Sequence, residues 1–178
     1  RQTKALLEHL DLGKVNLVGT SGGAWVAVNA ALERPDLVDK VVADSFDGRT
    51  LADDFAENLL KERAEAKKDE MGRAFYEWCQ GEDWERIVDM DTSAMVQCAK
   101  EKLPLFTKPL SALNNPLLLM GSKGDDMCRS DFQDEYRAIA KETNAEVCIF
   151  PEGVHPAILS CAEKAAEVIS RFLEGKET

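Results

Sequence analysis

Only two histidines occur in the 178 residues, His9 and His155, so any reaction that needs an imidazole base must use one of two positions. Apolar runs are short as well. The longest, Leu117–Met120 and the stretch around Val26–Leu32, fall well below a bilayer-spanning length, and Arg1 opens no signal-peptide pattern. The sequence therefore reads as a cytoplasmic protein with no membrane partner. Basic residues are in the minority, 22 against 33 acidic ones for a formal charge of -11, and a field of that sign repels polyanions, which excludes nucleic acid as a natural partner. The five cysteines, Cys79, Cys98, Cys128, Cys148 and Cys161, are odd in number and form no C-x-x-C pair, so the spacing suggests neither a disulfide framework nor a zinc site. What remains, with 44% hydrophobic residues, is enough apolar material for a globular core.

The pattern along the chain alternates between two periods. Gln2–Leu12 places Ala5, Leu6, Leu7 and Leu10 on one helical face and ends at Gly13. Val15–Val18 reads as a strand, Gly19–Gly23 as a sharp turn, and Ala24–Leu32 as a buried helix closed by Pro35. Val38–Ala43 is a second strand. From Asp47 to about Leu113 charges crowd in at helical spacing around Phe55, Leu59, Leu60, Phe75, Trp78, Cys79, Ile87 and Val88, which predicts three or four helices. Leu117–Met120 has the continuous apolar character of a buried parallel strand, Asp131–Glu142 returns to helical spacing, Val147–Phe150 is the last strand, and Ala157–Leu173 is one closing amphipathic helix. Strands alternating with helices imply an α/β fold with a parallel sheet of about four strands.

Chemistry-bearing residues fall just past the strands, where open α/β sheets place their sites. Gly19-Thr20-Ser21-Gly22-Gly23 satisfies G-x-S-x-G between a strand and a helix, a context that makes Ser21 a candidate nucleophile; a plain tight turn or a phosphate-binding loop is the competing reading, but no Lys follows the glycines as a P-loop requires. A serine hydroxyl needs a base. His9 lies on a helix surface, whereas His155 lies on the loop between the last strand and the last helix, which makes it the candidate base. An acid that fixes the imidazole tautomer completes such a set; Asp125, just past Leu117–Met120, is preferred, with Asp126, Asp44 and Asp47 as alternatives. No organic cofactor or metal is implied.

In the order Ser21, Asp125, His155, and in the Arg34-Pro35-Asp36 step after the nucleophile helix, the chain resembles the serine α/β-hydrolase superfamily, in particular its capped esterase-like and proline-iminopeptidase-like members. The resemblance implies core segments at 1–46 and 114–178, a helical cap at 47–113 in which Phe75, Trp78 and Trp84 line a pocket or fill its core, and an oxyanion donor at the Gly22 N–H. It implies hydrolysis of an ester, thioester or amide of a small molecule; a non-catalytic binding or receptor protein, or an inactive fragment, is the alternative. Members of the family carry further strands before the elbow, so Val15–Val18 is expected to be an open edge, paired by an N-terminal segment missing from this sequence or by a second copy in a homo-oligomer.

Overall fold

The computed structural model describes residues 2–175. Four apolar runs become four strands, β1 (Val15–Thr20), β2 (Val38–Asp44), β3 (Leu117–Ser122) and β4 (Glu146–Phe150), all parallel and adjacent in chain order. The register aligns Thr20 with Asp44, Asp44 with Met120, and Met120 with Cys148. Every strand thus ends at about the same level, and the loops bearing Ser21, Asp47, Asp125 and His155 all leave the same edge of the sheet.

Each strand but β4 runs beyond the span expected from hydropathy, β1 and β3 by two residues and β2 by one, while β4 gains Glu146 at its start. The added residues are Gly19, Thr20, Asp44, Gly121 and Ser122, whose backbones pair although their side chains give no apolar signal. Both faces of the sheet are covered, and the period of two in a strand sorts side chains between them. Val41, Ala43, Leu117 and Leu119 face one core with α2 (Gly22–Glu33) and with Phe132, Tyr136 and Ile139 of α6 (Phe132–Thr143). Val42, Leu118 and Met120 face the other, with Ala165 and Phe172. This explains why Leu117–Met120 is apolar without a break: alternate residues fill opposite cores, each contributing about 1.5–3 kcal/mol of burial.

The closing segment departs from expectation. In place of one helix from Ala157 to Leu173 there are two, α7 (Ala157–Ser160) and α8 (Ala162–Glu174), separated at Cys161 with φ -121° and ψ 37°. Cys161 turns its buried Sγ toward the Glu152 carbonyl at 3.1 Å, an anchor to the preceding loop that hydropathy does not register. At the other end α1 (Gln2–Leu10) buries no residue; Leu6 and Leu10 are exposed and Leu7 alone of the expected face packs on the core.

A second compact unit, Thr50–Pro104, holds α3 (Phe55–Ala66), α4 (Glu70–Gln80) and α5 (Trp84–Glu101), the first unit comprising the described residues of 2–49 and 105–175. Helix α4 starts at Asp69, whose carboxylate accepts the Gly72 N–H at 2.8 Å. Tyr76 stacks on Trp84 at 5.8 Å between ring centroids, and α3 is tied to α5 by Arg63–Asp91 and Lys67–Asp89 ion pairs. Trp78 and Phe75 are exposed. Among the described residues, no helix is long and apolar enough to cross a membrane.

Candidate active site

Between β1 and α2 the chain reverses at Ser21, whose φ of 52° and ψ of -127° lie in a region that a non-glycine residue seldom occupies. The flanking glycines are not equivalent. A Cβ on Gly19 would come within 2.1 Å of the Gly23 carbonyl oxygen, so position 19 must be glycine for the strand to meet the helix, whereas a Cβ on Gly22 or Gly23 would meet nothing within 4 Å. The Ser21 N–H donates to the Asp44 carbonyl at 2.8 Å, extending the β1–β2 ladder into the turn. Gly22 is exposed in the first turn of α2, where backbone N–H groups have no partner within the helix.

The acid and histidine loops meet. Nδ1 of His155 lies 2.9 Å from Oδ2 and 3.1 Å from Oδ1 of Asp125, with the carboxylate fully buried and the imidazole 11% exposed. Behind the contact the two backbones are so close that a Cβ on Gly124 would lie 2.5 Å from the Gly153 carbonyl oxygen. Asp125 also accepts the Met127 and Cys128 N–H groups at 3.1 and 3.2 Å, a turn that fixes the carboxylate plane. Burial raises the Asp125 pKa, but the hydrogen bond and charge of His155, with the Cys128 and Met127 donors, outweigh burial and hold the carboxyl below its ordinary value. Asp126 is exposed, and so is His9.

The remaining candidate acids are buried and engaged elsewhere. Asp47 Oδ1 accepts the Arg129 N–H at 2.8 Å, which ties the loop after β2 to the end of the acid loop. Asp44, at 0% exposure, accepts the Thr20 hydroxyl at 2.9 Å and the Ile158 N–H at 3.1 Å on one oxygen, with the Ser45 hydroxyl 3.3 Å from the other. Ser45 in turn accepts the Ala157 N–H at 2.8 Å. The two residues following His155-Pro156 are therefore held by Asp44 and Ser45, while Asp44 also holds the backbone of Ser21 and the side chain of Thr20. Burial raises the Asp44 pKa, partly offset by the Ile158 N–H, the Thr20 and Ser45 hydroxyls and the nearby His155.

Three participants went unseen in the sequence: Ser45, the bracing role of Asp44, and Cys128. The Cys128 Sγ lies 3.4 Å from Asp125 Oδ2, the same oxygen that faces His155. A Cys three residues after an acid is a spacing that an Asp-initiated turn folds back on itself, and that was the available signal. Burial first, then the neighbouring carboxylates of Asp125, Asp47 and Asp44, push the Cys128 thiol far above its ordinary pKa. One donor atom each from Asp125, Cys128 and His155 lie within 4.8 Å of one another, a set capable of holding a metal ion.

A parallel sheet with a strained serine between its first strand and helix, and an Asp–His pair on two later strand ends, defines a hydrolase-type α/β scaffold. The alpha/beta hydrolase fold family matches residues 1–141, and the chain belongs to that family. No protein of curated function matches it in sequence. Among solved structures it is similar to NosK from Streptomyces actuosus, at 19% identity and a TM-score of 0.77 over 98% of this chain and 74% of that one. It is similar also to E-2-(acetamidomethylene)succinate hydrolase, at 21% identity, TM-score 0.70, 97% of this chain and 71% of the other. A third is CarC, a serine hydrolase involved in carbazole degradation, at 20% identity, TM-score 0.66, 96% and 70%.

Proposed function

We propose that the chain is the catalytic part of a serine hydrolase that cleaves an ester, thioester or amide of a small molecule. The observation that carries this reading is the bracing of two loops by one residue: Asp44 fixes the Ser21 backbone through its carbonyl and the His155 loop through its carboxylate, while Asp125 orients the ring. Ser21 attacks the carbonyl carbon as His155 Nε2 takes the hydroxyl proton; the imidazolium formed is stabilised by Asp125 and then protonates the leaving group. The Gly22 N–H donates to the oxyanion. Water, activated by the same imidazole, releases the acyl group and restores the serine. Covalent labelling by a fluorophosphonate tests the reading, since a binding or receptor protein without an activated serine stays unlabelled.

Asp44 offers a prediction that separates positioning from stability. Asp44→Asn keeps an oxygen for the Ile158 N–H but removes the charge near His155, and kcat is expected to fall on the order of 10–100-fold with little change in KM. A carboxyl whose folded pKa is raised adds stability below its unfolded value and loses it as pH climbs through the folded one. The variant should therefore melt at or above the parent at neutral pH, the difference shrinking as pH falls through the raised folded pKa toward the ordinary carboxyl value and staying constant below it. A variant with parental kcat, measured beside the melting curves, would remove Asp44 from the positioning role.

In this reading the open side of β1 is paired in the working protein. β1 has β2 as its ladder partner among the described residues, and Val18 is 48% exposed with no proline or inward charge guarding the strand. Light scattering of the 178-residue chain is expected to show self-association, with two β1 edges antiparallel across a twofold axis, and Val18→Lys should shift it toward monomer. A stable wild-type monomer with full esterase activity would contradict this.

A further inference from the structure

The acid end of the Asp125–His155 pair has a third member that a hydrolytic cycle does not require. The imidazole Nδ1 and the Cys128 Sγ both lie against a single oxygen, Asp125 Oδ2, at 2.9 and 3.4 Å. We propose that this cluster is a binding site for a zinc-like divalent cation, with Asp125 Oδ2, Cys128 Sγ and His155 Nδ1 as ligands, and that occupancy switches the enzyme off. The inhibitory consequence rests on the proposed serine hydrolase function; the binding does not.

The geometry fits such an ion. Zinc binds imidazole nitrogen and carboxylate oxygen at about 2.0–2.2 Å and thiolate sulfur at about 2.3 Å, so neighbouring ligands in a tetrahedral site lie roughly 3.3–3.8 Å apart. The sulfur to oxygen separation is already 3.4 Å, the nitrogen to oxygen one has to open from 2.9 Å as the ion replaces the shared proton, and all three atoms lie within 4.8 Å of each other. The carboxylate is prepared as a ligand: its other oxygen accepts the Met127 and Cys128 N–H groups, and Asp47 anchors the same loop at Arg129. A mixed sulfur, nitrogen and oxygen set selects zinc over the hard cations magnesium and calcium.

Binding exchanges protons without redox chemistry. The thiol releases its proton to solvent and becomes thiolate, and the imidazole proton moves from Nδ1, which must be bare to coordinate, to Nε2. That second change causes inhibition. A ring protonated on Nε2 has no lone pair there and cannot take the Ser21 proton, so the ion imposes the unproductive tautomer from the far side of the ring.

Cobalt(II) and zinc(II) titrations of the full chain and of Cys128→Ser and Cys161→Ser test the site. Cobalt should give the parent and Cys161→Ser a thiolate-to-cobalt charge-transfer band in the near ultraviolet, absent from Cys128→Ser. Competition with a chromogenic chelator should show zinc affinity weakened about tenfold or more by Cys128→Ser alone. Circular dichroism melts establish that each variant is folded, and zinc sensitivity is read as the ratio of each protein's own activity with and without the metal. Equal zinc affinity in parent and Cys128→Ser, or a parent cobalt complex without thiolate character, overturns the proposal. A cobalt–thiolate complex in a chain that hydrolyses nothing supports the site while refuting the hydrolase reading; an active hydrolase that binds no zinc refutes the site alone.

Discussion

Ser21→Ala and His155→Ala will each abolish fluorophosphonate labelling and lower hydrolysis of a short acyl ester by about 10^6-fold, since nucleophile and base act as a unit whose parts fail together. Their effects on stability should differ. Ser21 already occupies a strained φ of 52°, and alanine there meets the same backbone strain, so the melting temperature should stay near the parent value. Removing His155 leaves the buried Asp125 carboxylate without its main charged partner and lets burial raise its pKa, so His155→Ala loses stability above the ordinary carboxyl range. Undiminished hydrolysis in either variant would sink the assignment, and retained labelling of Ser21→Ala would place the reactive serine elsewhere.

Much of the fold was legible because burial and secondary structure coincide in it. The run Leu117–Met120 declares a strand covered on both faces, and the structure shows why, with alternate residues entering separate cores. Strand ends were less legible, because Gly19, Thr20 and Ser122 continue the ladder through backbone groups that carry no hydropathy. The break at Cys161 depends on a contact with the Glu152 carbonyl, which is tertiary information. In the candidate site, G-x-S-x-G and the loop histidine stood out through their types and places. Ser45 did not, since its importance lies in accepting the N–H of Ala157, 112 residues away. Cys128 carried only the weak signal of a cysteine three residues after an aspartate, since its spacing from the other cysteines suggested no metal site and its partners are an aspartate and a histidine on two loops.

Asp125→Asn is the sharpest single test of the acid, and adjacent aspartates make it a controlled one. Sequence alone leaves Asp125 and Asp126 side by side on the same loop, but the structure puts one carboxylate against His155 Nδ1 and leaves the other exposed to water. An amide at 125 that turns its NH2 group toward Nδ1 donates where the ring must itself donate. It thereby stabilises the tautomer with the proton on Nε2, in which the imidazole cannot act as base. The expected loss in kcat is about 10^4-fold. It should appear in the acylation step, read as slower fluorophosphonate labelling, with substrate binding little altered because Asp125 touches the ring and not the acyl group. Asp126→Asn removes an exposed charge and should change kcat by less than about threefold, in line with the small energies of exposed surface charges. If Asp126→Asn proves the damaging change, the loop rearranges in solution so that the second carboxylate meets His155. If neither does, the acid lies at the end of β2, where Asp44 is close enough to act on His155 electrostatically, and Asp44→Asn should then show the 10^4-fold loss in place of the smaller one expected of a brace.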